Sequence, residues 1–136
     1  MKRFDQDTYL RIGIIIGGIY DLVLGVSLLF PDLTAPILSI NKPNPEIYSH
    51  VVGLFLIAVG YLLLVSSQDV KRLAFIGVGS CFVRLDFVFL VVLSWLTIGI
   101  ETGYLLLAMT DTITAALILI PMILTEGITW KSLWLV

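Results

Sequence analysis

Cysteine occurs once in this chain, at Cys81, histidine once, at His50, and charged residues make up only 13% of its 136 residues. Each scarcity excludes something. A lone cysteine cannot form an internal disulfide. That argues against a four-helix thiol–disulfide enzyme passing electrons to quinones, which needs cysteine pairs. A lone histidine argues against a metal centre, which needs several converging ligands, so no metal is expected and His50 reads as an interfacial hydrogen-bonding residue. Soluble domains carry about 25% charged residues, so little of this chain is available for a separate soluble domain. The sequence also has no nucleophile–base set, no phosphate-binding loop and no basic patch for nucleic acid. An enzyme is therefore not the expected reading, and no cofactor is required.

What the chain does have is apolar residue, 59% of the total, gathered into four long runs. A helix needs about 20 apolar residues to cross a bilayer core. Residues 8–30, 48–65, 69–98 and 101–124 each meet that need, with Asp69 as the expected N-cap of the third. Strands are excluded, because an open sheet cannot satisfy its edges in lipid. The expectation is an all-α integral membrane four-helix bundle, one transmembrane domain over residues 1–136. The opening Met1-Lys2-Arg3-Phe4-Asp5 has an acidic residue and no small-x-small cleavage site nearby, so the first run is expected to stay as a span. Short turns at Ser66-Ser67-Gln68 and near Gly99 predict antiparallel neighbours. Residues 31–46 form a longer, proline-rich connection that could hold a short helix over Leu33–Ile40. The tail, 125–136, mixes Trp130 and Trp134 with Lys131 and reads as an amphipathic interfacial segment.

Basic residues set the expected orientation. Lys2, Arg3, Arg11, Lys71, Arg72 and Lys131 fall on one side and only Lys42 on the other. Both termini are then cytoplasmic, in a plasma (inner) membrane, and the bias argues against a dual-topology drug exporter. A cysteine introduced beside Asn44 should label from outside the cell and one beside Gln68 should not. The reverse pattern would rule out this topology.

Against that apolar background, three spans carry ionisable residues near mid-depth: Asp21, Arg84 with Asp86, and Asp111. A charge there costs roughly 3 kcal/mol on insertion scales, so such residues normally face partners inside the bundle. At a rise of about 1.5 Å per residue, Asp21 lies ~15 Å beyond Arg11, Asp111 ~15 Å beyond Glu101 and Arg84 ~18 Å beyond Arg72. All three reach the midplane of a core about 30 Å thick. Gly17 and Gly25 flank Asp21, and Ala108 and Ala115 flank Asp111, as small residues do where membrane helices meet. On the same argument Gly13, nearer the membrane edge, should be the more tolerant glycine. Asp86 points about 200° away from Arg84 and so either faces another crevice or a subunit partner or stays protonated. With three aspartates against one arginine, at least one is expected to be neutral at pH 7. In the second span His50, Gly53, Gly60 and Tyr61 fall near one stripe. Asp21, Arg84 and Asp111 are thus the candidate polar centre, with Asp86, His50 and Tyr61 secondary. Three readings stay open: a structural ion pair, above all Arg84 with Asp111; a ligand or proton site; and an interface with another protein. Arg11, Gly13, Asp21 and Pro31 also repeat the spacing of Glu101, Gly103, Asp111 and Pro121, as an inverted repeat would.

Residues 45–120 carry Gly53-Leu54-Phe55, Gly60-Tyr61, Asp69 with Lys71-Arg72, a basic residue in the third span (Arg84) and an aspartate in the fourth (Asp111, after Leu107-Ala108). In these it resembles small prokaryotic DoxX-like four-helix membrane proteins. The resemblance implies a four-helix membrane fold and, for some members, a role as a subunit of quinone-linked membrane oxidoreductases. Three functions follow as expectations: a non-enzymatic accessory or assembly subunit of a larger membrane complex; a binding protein for quinone or another lipophilic ligand; or a small proton-coupled transporter acting as an oligomer. The expected partners are the lipid bilayer and other membrane subunits or further copies of the chain.

Overall fold

A computed structural model describes residues 6–125 and 128. Among these residues the protein is all-α and holds five helices: α1 (Gln6–Leu28), α2 (Pro31–Leu38), α3 (Ile47–Ser66), α4 (Ala74–Ile98) and α5 (Thr102–Leu124). Four of them, all but α2, are long and apolar enough to cross a membrane. Their large side chains, such as Ile19, Val51, Leu96 and Ile123, lie exposed on the outer surface, as lipid-facing residues do. The protein is an integral membrane four-helix bundle. Lys2, Arg3 and the tail from Thr129 onward lie outside the described residues.

Proline and glycine set the boundaries. A residue before proline disfavours helix, and α1 closes with tightened turns, Leu29 N–H to Val26 O at 3.1 Å and Phe30 N–H to Ser27 O at 3.0 Å. Pro31 then opens α2, where its missing N–H has no helical partner to lose. The Thr34 hydroxyl ties α2 back to the carbonyls of Ser27 and Phe30. Gly99 ends α4 with φ of 68° and donates its N–H to Ser94 O at 3.2 Å, a left-handed cap that suits glycine. One boundary differs from expectation. Asp69 does not cap α4. Its carboxylate accepts the N–H of Arg72 at 3.1 Å and so caps an isolated turn, and α4 begins only at Ala74.

Around the bundle the order is α3, α1, α5, α4. The packing of α1 on α3 is the most extensive, and it runs through two pairs of glycines. A Cβ on Gly25 would lie 2.7 Å from Gly53 O, and one on Gly60 would lie 2.7 Å from Gly18 O. Only glycine permits such an approach. α1 meets α5 at a third glycine. Pro121 has no N–H to give Leu117 O, and α1 presses Gly13 onto that freed carbonyl, where any Cβ would overlap it. Gly13 is therefore a close-packed position, contrary to its expected tolerance near the membrane edge.

Two ends of the bundle differ. Towards the 67–73 connection the interior is solid, filled by Leu10, Ile14, Leu63, Cys81, Ile118 and Met122. Towards α2 it is hollow. The short turn between α3 and α4 predicts close neighbours, but these helices make little contact, because α3 is drawn onto α1 and α4 onto α5. The α2 end is closed by polar contacts on the surface. Lys42 bridges Asp32 at 2.5 Å and Glu46 at 2.6 Å, Asn41 bonds Glu101, and Ser49 Oγ donates to Leu28 O at 2.7 Å. Hydrogen bonds to Asp32 and Glu46 push the Lys42 ammonium above its ordinary range. A raised lysine keeps its pairing up to the alkaline range and loses it only above that, so this closure is constant through neutral pH.

Candidate functional site

Arg84 stands at the floor of the hollow half, 4% exposed, and its guanidinium reaches across the bundle from α4 to α1 and α5. One terminal nitrogen donates to Asp111 Oδ1 at 2.5 Å and to Thr114 Oγ1 at 3.0 Å. The other donates to Asp21 Oδ1 at 2.6 Å and to Gly17 O at 3.4 Å. Nε donates to Ser80 Oγ at 3.3 Å, one turn back on its own helix. The ring of Tyr20 lies against the guanidinium carbon, with its centroid 5.4 Å away, and closes the side between α1 and α5. That ring is held by a 2.7 Å hydrogen bond between the Tyr20 and Thr110 hydroxyls.

The three residues expected to share one depth therefore meet. The sequence puts the pair Arg84–Asp111 foremost and Asp21 in the same polar centre. In the structure the arginine takes both carboxylates at once. The fork of a guanidinium makes this feasible, since its donors point in fixed, separate directions. Asp21 and Asp111 are also the equivalent positions of the inverted spacing repeat, and they grip the arginine from opposite sides.

The secondary candidates stay apart from this centre. Asp86 is exposed on the far face of α4, at about the same depth, and makes no ion pair among the described residues. Tyr61 is 63% exposed, because one residue beyond Gly60 turns it about 100° off the α1-facing stripe. His50 is half-buried near the start of α3. Metal ligands do not cluster among the described residues. Four contributors escaped the sequence reading: Tyr20, Thr114, Gly17 O and the Ser80 hydroxyl. Ser80 at i−4 from Arg84 and Thr114 at i+3 from Asp111 were within reach of helical spacing. The ring contact and the carbonyl have no spacing signal.

Above the charges lies a cavity of about 470 Å³. Its floor is Asp21, Ser80, Arg84 and Asp111. Its walls are apolar, with Leu24 from α1, Val52 and Phe55 from α3, Phe87 from α4 and Leu107 from α5, and Tyr48 and Tyr104 stand near its rim. Such a volume, apolar with a few converging polar groups, is typical of small-molecule sites. Val52, Phe55 and Val83 line it and are each about half exposed, on the side where α3 and α4 diverge. The cavity thus opens sideways, towards the hydrocarbon. No family model, curated protein or solved structure matches this chain.

Proposed function

We propose that this membrane protein binds a small lipophilic molecule, taken from the bilayer between α3 and α4 and held with its polar head at the Arg84 centre. The observation that carries this is the cavity: apolar walls, a charged floor and a lateral mouth in one space. The solid packing from Leu10 to Met122 below the floor favours holding over passage, and so favours binding over transport. The DoxX-like resemblance makes a quinone-type molecule one candidate. Native mass spectrometry of gently purified protein should find a lipid-like mass, and Val83→Trp, which fills the mouth from a half-exposed position, should remove it. Protein that is empty in both forms would sink the reading.

A second reading, an accessory subunit whose termini the bias of basic residues would put in the cytoplasm, draws its subunit role from Asp86. A carboxylate on the lipid-facing side near mid-depth is costly unless another helix covers it. Asp86→Leu should leave the melting temperature of the isolated chain level or higher, while shifting its native mass from a complex to the monomer. An assembly state unmoved by this change would remove the support.

A further inference from the structure

Resting on the ligand-binding reading above, the geometry points to the chemical class of the ligand: its head donates hydrogen bonds, as a hydroxyl or an amine does, and anionic heads are refused. An arginine at the base of a pocket ordinarily suggests an anion. Here it is not available to one. A guanidinium has five N–H donors. All five are committed, to Ser80 Oγ, Asp111 Oδ1, Thr114 Oγ1, Asp21 Oδ1 and Gly17 O. The Tyr20 ring covers its flank.

The carboxylates are the reverse. Each uses only Oδ1 on the arginine. Asp21 Oδ2 is fully buried and has no hydrogen-bond partner among the described residues. Buried polar atoms without partners are rare and call for a reason. Asp111 is the less buried of the two, its side chain 13% exposed where it lines the cavity, and its Oδ2 accepts no hydrogen bond among the described residues. The floor therefore has two unused carboxylate oxygens, against a single hydroxyl hydrogen on Ser80. An incoming carboxylate or phosphate would face two carboxylates and find only the Ser80 hydroxyl as a donor at the floor. A hydroxyl or ammonium would meet Asp111 Oδ2, the more exposed of the two. By the same count, an oxidised quinone offers only acceptors and fits less well than its quinol.

The test uses the full chain in lipid nanodiscs and four probes of equal chain length: n-dodecanol, n-dodecylamine, dodecyl methyl ether and dodecanoate. Each is offered at the same concentration, and occupancy is read by native mass spectrometry on wild type and Val83→Trp. The expected result is at least ~10-fold higher occupancy for the alcohol or the amine than for the ether and the dodecanoate, lost in Val83→Trp; a 10-fold ratio corresponds to about 1.4 kcal/mol. The alcohol against the amine shows which donor is preferred. Ether or dodecanoate bound as well as both donors would overturn the donor assignment and leave lipophilic binding standing. If none of the four binds, the binding reading falls, and the assignment with it.

Discussion

Arg84→Met should abolish most of the folded protein. It strands two buried carboxylates, Asp21 and Asp111, each within 2.6 Å of the guanidinium that is removed. Breaking a buried pair by deleting one partner typically costs about 3–5 kcal/mol, and here two partners are orphaned. Arg84→Lys should rescue little, because a single ammonium cannot occupy the two places that the separate guanidinium nitrogens fill. The triad also changes what a compensating variant must contain. An isolated Arg84–Asp111 pair would let Arg84→Met with Asp111→Leu recover most of the yield. With Asp21 in the same grip, that double variant should recover only part, and adding Asp21→Leu should recover more. Monodisperse yield by size exclusion and the melting temperature in detergent are the readouts. A double variant as stable as the triple would show that Asp21 is not coupled to the arginine.

The second large effect belongs to the α1–α3 seam. Gly25→Leu or Gly60→Leu places a side chain on backbone carbonyls that a Cβ would already approach to 2.7 Å. Overpacking costs typically ~1–3 kcal/mol, and the upper end applies where the obstacle is backbone. Gly13→Leu belongs with them, because it meets Leu117 O. Gly79→Leu is the control, since none of the described residues lies within 4 Å of a Cβ there. The first three should lower the melting temperature by several degrees or prevent recovery, and Gly79→Leu should leave it unchanged. A melt for Gly79→Leu as low as that for Gly25→Leu would mean that the glycines do not hold the helices together.

Much of this was legible from hydropathy and spacing. Four spans follow from four apolar runs, with ends displaced by only a few residues except at Asp69. There the side chain found a nearer N–H, in its own turn, than the start of α4. The midplane centre was legible because depth is a sum of equal rises along a helix, and Asp21, Arg84 and Asp111 add up to the same level. Which of two aspartates took the arginine could not be read, because spacing describes one helix at a time and the answer lies in how three helices converge. Gly17 and Gly25 were read as one surface. Gly17 faces Ile118 and Arg84, whereas Gly25 faces α3, since eight residues rotate the helix past a whole number of turns. The cavity had no sequence signal. Its walls are ordinary Leu, Val and Phe, and it exists because α3 and α4, though joined by a short turn, each pack better on a different neighbour.

The two glycine contacts between α1 and α3 have a mechanical consequence. They lie seven residues apart on each helix, about 10 Å along the axis. Two such points fix a line, so α3 cannot pivot on α1 without lifting off one of them. Any widening of the lateral mouth must come from α4 swinging outward on the 67–73 connection. The tether that limits that swing is the fork of Arg84, anchored to α1 through Asp21. The contact that satisfies charge at the centre thus also ties α4 to α1, and α4 could not swing outward without breaking it.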